Sequence, residues 1–281
     1  MDRGRLAPVP RRRTIDPMEN VAAPGEVQTV EPAKPVRRAS RRRVGVRRVL
    51  GELLITAAVL ILLFQGWKIW FNDIIFGASQ TGAAVELSQS WELPDANAGP
   101  IKNPAPDPGE PVVTKTPANA ESFATIMIPS LGKDYRKIIA EGVGHDVLNT
   151  PRLGIGHYPS TQLPGELGNI VLASHSTAYG GAFHNIHELE VGDSVFLETK
   201  DGWYKYVYRS TSYVLATQTE VLDPVPQAPG VEPTDSILTL TTCNPFLSTA
   251  ERIIVYTVFD SWYPRADGPP EEIAKLVRRS A

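Results

Sequence analysis

One stretch of this chain is too apolar and too long to be treated as ordinary surface. Residues 53–64 are apolar except for Thr56, and Val49, Leu50, Trp67, Ile69, Trp70 and Phe71 extend the run over residues 49–71. As a helix rising ~1.5 Å per residue, those 23 residues reach roughly 34 Å, the thickness of a bilayer's hydrocarbon layer. Glu52 and Lys68 lie near its ends, where long side chains can snorkel to water. Trp67 and Trp70 sit where interfacial aromatic residues collect. A core helix is the alternative reading of so short an uninterrupted run. Seven arginines crowded into residues 37–48 favour a membrane span. The 48-residue region ahead of the run and the lack of an A-x-A-like site directly after it argue against a cleaved signal peptide.

Charge divides at the same place. Residues 1–48 carry 13 basic and 5 acidic side chains, net +8, and the rest of the chain carries 15 and 26, net −11. Residues 1–48 are rich in Arg, Pro and Ala and too poor in large apolar side chains to offset ordering entropy, so they read as a disordered basic tail. They hold no aromatic residue for base stacking, which argues against nucleic acid as a partner. The positive-inside bias places this tail in the cytoplasm and everything after about residue 72 outside the cell. Residues 72–93 permit a continuing helix or stalk, and the proline-rich residues 94–121 read as a linker.

The compact domain is expected over residues 122–262, followed by a Pro-rich, charged tail over 263–281. Short β-prone runs fill it: 123–128, 169–173, 194–199, 203–214, 235–242 and 252–259. Asp201-Gly202 marks a hairpin. Residues 135–141 read as a helical turn and 182–189 as a short helix. Many short strands with little helix imply an all-β fold, a small closed or nearly closed barrel.

Chemistry centres on the sole cysteine. In Thr241-Thr242-Cys243-Asn244-Pro245 the cysteine ends a strand and precedes a turn initiator. Leu238, Leu240 and Thr242 share one strand face, and Thr239, Thr241 and Cys243 the other. A buried cysteine acting as a small hydrophobe is the bland reading, and the motif alone leaves both open. A reactive thiolate needs positive charge or donors nearby. Arg252 opens the next strand and returns close to Cys243 if the two pair antiparallel. Its guanidinium cannot act as an acid or base, but it can stabilise a thiolate or an oxyanion. Of the five histidines, His175 follows the apolar run 169–173 and so also sits at a strand end. His184 and His187 lack a third ligand at metal-site spacing. His145 and His157 have loop contexts. No phosphate-binding Gly-rich motif is present, so no cofactor is expected.

The run Ser-Ile-Leu-Thr-Leu-Thr-Thr-Cys-Asn-Pro at 236–245, with Arg252 nine residues after the cysteine, resembles the sortase Thr-Leu-x-Thr-Cys motif and its downstream arginine. Asn-Ile-Val-Leu-Ala-Ser-His at 169–175 is similar to the strand that delivers the sortase histidine. The resemblance covers about residues 122–262. It implies a sortase-like closed β-barrel of about eight strands with short helices, preceded by one transmembrane helix. Tyr179-Gly180 after the histidine looks most like the class E sortases of high-GC Gram-positive bacteria. Ser174 and Ser176, where many relatives have Gly and Arg, depart from that pattern. A pilin-polymerising sortase usually adds an Asp-Pro-aromatic lid, and here Asp107-Pro108 precedes Gly109.

By resemblance, Cys243 is the nucleophile, His175 the proton-transfer partner and Arg252 the oxyanion stabiliser, with Thr242, Tyr179, Leu240 and Ser174 at the peptide. The implied partners are secreted proteins bearing a Leu-Pro-x-Thr-Gly or Leu-Ala-x-Thr-Gly sorting signal and an amine acceptor, such as a lipid-linked peptidoglycan precursor. L,D-transpeptidases hold His and Cys a few residues apart, against 68 here, and papain-like enzymes reverse their order. The remaining alternative is a non-catalytic surface binding module with a structural cysteine.

Overall fold

A computed structural model of the chain describes residues 45–91 and 109–278. Residues 1–44 of the basic tail and 94–108 of the linker lie outside the described residues, and residues 46–48, expected as disordered tail, begin the first helix. The chain divides into two units, residues 1–50 and 51–281.

Helix α1 runs without a break over Val46–Ser90, and its two halves differ in what they touch. Leu53 to Phe64 are exposed at every position, Leu62 at 72%. This half is long and apolar enough to cross a membrane. The later half turns one face to protein. Gln80, Ala83, Ala84 and Ser88 are buried, at the i, i+3, i+4, i+8 spacing of a single helix face. Small side chains let this face pack closely on Ile138, with Leu87 and Leu153 at its edge.

Eight strands close a barrel in the order β1-β2-β3-β4-β7-β8-β6-β5. They are β1 Ser122–Met127, β2 Arg136–Glu141, β3 Ile155–His157, β4 Gly168–Ser174, β5 Ser194–Glu198, β6 Gly202–Leu215, β7 Ser236–Asn244 and β8 Glu251–Pro264. Closure comes from β1 pairing with β5, which leaves no free sheet edge. Two pairings are parallel, β2 with β3 and β4 with β7. Inward side chains, among them Ile126, Ile170, Leu172, Leu197, Tyr204 and Leu240, fill the interior.

Strand β4 is buried at all seven positions, which explains its near-continuous apolar sequence. Asn169, buried on the outer face of this strand, is satisfied. It donates to the carbonyls of Val221 (2.9 Å) and Asp223 (3.0 Å) and accepts from Thr239 Oγ1 (2.7 Å). That fastens the 216–235 connection to the outer wall of the barrel.

Three expectations change. Within the expected helical turn over 135–141, Arg136–Glu141 instead form strand β2, with Arg136 and Ile138–Glu141 buried and the strand paired to β1 and β3. The helix expected over 182–189 is only a 3-10 turn, Ile186–Glu188. The expected tail contains helix α3, Glu271–Arg278, whose Ile273 and Val277 pack on Met127, Phe196 and Trp203. The short helix α2, His145–Leu148, precedes β3.

Glu198, fully buried at the end of β5, ties these parts together. It accepts from Ser88 Oγ (2.8 Å), Thr125 Oγ1 (3.0 Å), Arg136 Nη2 (2.5 Å) and Arg265 Nη2 (3.0 Å). One carboxylate therefore joins α1, β1, β2 and the segment after β8. Truncating it removes the carboxylate shared by two buried guanidinium groups, a class of change costing about 3–5 kcal/mol. Glu198→Ala is expected to lower the free energy of unfolding by that amount in a denaturant titration. A loss below about 1 kcal/mol, the level of an exposed ion pair, would contradict this picture.

Candidate active site

Register brings Cys243, His175 and Arg252 to one rim. β7 and β8 pair antiparallel with Cys243 directly opposite Arg252, so both side chains leave the same face of the sheet. β4 lies parallel on the other side of β7 with Ala173 opposite Thr241. β4 ends at Ser174, so His175 leaves it at the end of the sheet where β7 carries Cys243. Cys243 and Arg252 thus face each other on β7 and β8, and His175 directly follows the neighbouring β4, each half-buried. The thiol is not sealed in the core.

The rim is stapled on both sides of these groups. Asn244 Nδ2 donates to Glu251 Oε2 at 2.7 Å, closing the next β7–β8 pair. Arg252 Nη1 donates to the carbonyls of Thr249 and Glu251, each at 2.9 Å. Its remaining N–H groups meet no protein acceptor among the described residues, leaving them available to an oxyanion.

His175 is held by a residue the sequence did not single out. Asn149, which caps α2, presents Oδ1 2.8 Å from His175 Nε2. With Nε2 donating there, Nδ1 is the nitrogen left for proton exchange. Burial pushes the imidazole below its ordinary pKa. The Asp73 carboxylate opposes that shift, and His145 adds to it.

Asp73 also acts through the backbone. Its oxygens accept from the amides of Ala178 (3.0 Å) and Gly180 (3.1 Å). Ala178 and Tyr179 sit at φ +63° and +50°, a region costly for side chains other than Gly. Gln80 Nε2 donates to the Tyr179 carbonyl at 2.7 Å. A Cβ at Gly180 would come within 2.7 Å of Gln80 Oε1, so the turn after His175 fits α1 closely. Helix α1 therefore holds the strained turn that follows the histidine.

The expected peptide-contacting residues separate into two groups. The Tyr179 ring is exposed and lies 5.3 Å from the His175 ring and 6.0 Å from Phe76. Thr242 and Ser174 are buried and spend their hydroxyls on backbone carbonyls, Thr242 on Ser174 (2.8 Å) and Ser174 on Gly154 (2.6 Å). Both fix the end of β4 from which His175 departs. Leu240, expected at the peptide, lies wholly inside the barrel, because positions 238 and 240 share the inward face of β7. Asn149, Asp73 and Gln80 carried no sequence signal beyond a polar residue near a helix.

His157, expected in a loop, ends β3 and is buried. Its Nδ1 lies 2.7 Å from Glu141 Oε2 and its Nε2 2.9 Å from the Gln162 carbonyl. His184 Nδ1 meets the Ser176 carbonyl at 2.7 Å. No group of three or more His, Cys, Asp or Glu side chains suited to a metal occurs among the described residues.

Comparison with known proteins finds similar chains. A family model described as the sortase domain matches residues 126–259. Sortase SrtE1 of Streptomyces coelicolor is 31% identical over 258 residues, covering 86% of this chain and 68% of that protein. The solved SrtA sortase from Actinomyces oris is 34% identical, covering 59% of this chain and 94% of that one, with a TM-score of 0.55. Sortase E1 from Streptomyces coelicolor, solved with a tripeptide in its active site, is 34% identical. It covers 56% of this chain and 99% of that one, with a TM-score of 0.50.

Because the Asp73 carboxylate raises the His175 pKa against the effect of burial, Asp73→Asn should move the titration midpoint of His175 further down. NMR of histidine-labelled protein reads this directly. A midpoint unchanged in Asp73→Asn would rule out the electrostatic link.

Proposed function

The chain belongs to the sortase family of cell-wall transpeptidases, and from that premise we propose that it is a membrane-anchored class E enzyme joining secreted proteins to a cell-wall amine. The observation that supports this most is the register that pairs Cys243 with Arg252 and ends β4, one residue before His175, at the same end of the sheet. The substrate is a C-terminal sorting signal of the Leu-Pro-x-Thr-Gly or Leu-Ala-x-Thr-Gly type, cut between Thr and Gly. Residues 49–71 span the membrane, the basic tail is cytoplasmic, and the barrel stands outside.

In this reading the Cys243 thiolate attacks the Thr carbonyl carbon, and the developing oxyanion is held by the Arg252 guanidinium. His175, as imidazolium, gives its proton to the departing Gly amine while the C–N bond breaks, leaving a thioester on Cys243. The acceptor amine then attacks the thioester. His175 takes the surplus proton, and the sulfur leaves as thiolate. Every group returns to its starting state, so no cofactor is consumed. The exposed Tyr179 ring beside His175 borders the peptide. Thr242 and Ser174 serve it indirectly, by fixing the end of β4. The acceptor is the amine of a lipid-linked peptidoglycan precursor or a similar wall amine.

Incubating the full-length protein with both model peptides and an amine, then weighing the products, tests the proposal. Transfer of the acyl part to the amine is expected with at least one peptide. No ligated or hydrolysed product from either peptide would overturn it. Arg252→Gln should lower kcat by about 10²–10³, the range for losing one oxyanion donor. Activity against pH should be bell-shaped, because thiolate and imidazolium must coexist.

A further inference from the structure

The turn between β7 and β8 carries two large apolar side chains that the chemistry does not use. Phe246 is 58% exposed and Leu247 68%. They follow the nucleophile by three and four residues, and an extended chain of three residues covers at most ~10 Å. Solvent-facing Phe and Leu side by side, next to a reactive thiol, call for a partner that covers them.

Their neighbours identify it. Leu247 lines a cleft together with Gln65, Lys68 and Asn72 of α1. Phe246 lines a second cleft with Asp73 and Ile74 of the same helix. Gln65 and Lys68 belong to the apolar run 49–71, three to six residues before its end at Phe71, or about 5–9 Å along the helix axis. A turn at that height is level with the last helical turns of the span. Exposed Trp67, Phe71 and Ile74 continue the apolar surface on α1 beside it. Ile74, which lines the cleft beside Phe246, joins the turn to the exposed apolar side of the helix.

We propose that Phe246 and Leu247 insert into the lipid interface around the emerging helix, making the bilayer surface a second docking partner of the barrel. This rests on residues 49–71 spanning the membrane. The depth matches that at which apolar side chains of interfacial segments settle, ~5–10 Å into the boundary between headgroups and acyl chains. The barrel is then held at two points, α1 and the β7–β8 turn, which fixes its tilt as well as its distance from the membrane. Cys243, immediately before the turn, works at headgroup height. An acceptor amine carried on a lipid is presented at that height.

The test uses the full-length chain carrying Cys243→Ala, in lipid nanodiscs of phosphatidylcholine and phosphatidylglycerol, with an environment-sensitive fluorophore on a single introduced cysteine. Leu247→Cys is the test position. Phe64→Cys, within the span, is the positive control. Leu167→Cys is the negative control, because Leu167 is 61% exposed but precedes β4 at the opposite end of the barrel. Spin-labelled lipids quench fluorophores in contact with the bilayer. Loss of emission at 247 and 64, with 167 unaffected, is expected. Quenching at 64 alone would overturn the proposal and leave the anchor standing. No quenching at 64 or 247 would overturn both. Equal quenching at 247 and 167 would show non-specific adsorption and overturn it as well. Since the nucleophile is absent throughout, the outcome does not depend on whether the chain is a transpeptidase.

Discussion

The pairing of β7 with a parallel neighbour on one side and an antiparallel neighbour on the other governs the rest of this structure. The antiparallel partner β8 begins where β7 ends, so Arg252 returns opposite Cys243. The parallel partner β4 ends where β7 ends, so His175 leaves the sheet at the same rim. A one-residue slip in either ladder would turn one of these side chains to the opposite face. The register is secured inside the barrel by Leu238 and Leu240 packing with Ile170, Leu172 and Val255. Outside, the Thr239–Asn169 bond fixes it again. The placement of Cys243 and Arg252 thus follows from the core register.

Helix α1 contributes more than an anchor. Its later half is part of the folded unit, through Ala83, Ala84 and Ser88 and through the shared carboxylate of Glu198. The same face supplies Asp73 and Gln80 to the turn after His175. That turn holds two non-glycine residues in the left-handed region, and hydrogen bonds from α1 oppose its relaxation. One helix therefore links the position of the membrane to the placement of a titrating side chain.

Much of the site was legible because strand ends are legible. Thr-Thr-Cys-Asn-Pro joins β-prone residues to a turn initiator, and Ala-Ser-His closes an apolar run. The Asp201-Gly202 hairpin between β5 and β6 was equally plain. The missed elements share a physical cause. In β2, Arg136 is buried against Glu198 on the outer face of the barrel wall, so a charge occupies a buried position and the alternation disappears. β3 is only three residues long, too short for a period to show. α3 follows two prolines and is half charged, and its apolar face appears only against Trp203 and Phe196. The later half of α1 docks through small side chains, which carry little hydrophobic signal. Asn149 and Asp73 act across long sequence separations, which a single sequence does not display. Leu240 was placed on the correct strand, but its inward face gives it a packing role.

Coupling between sulfur and imidazole is the claim on which the site stands, and the protein offers a clean way to measure it. Cys243 is the sole cysteine, so the rate of iodoacetamide alkylation of the folded, full-length chain reports one thiol without subtraction. Followed against pH, that rate should show two inflections, one from the thiol and one from its imidazole neighbour, and His175→Gln should abolish the second. A thiol that reacts only after denaturation, or an identical single titration in both proteins, would contradict the account.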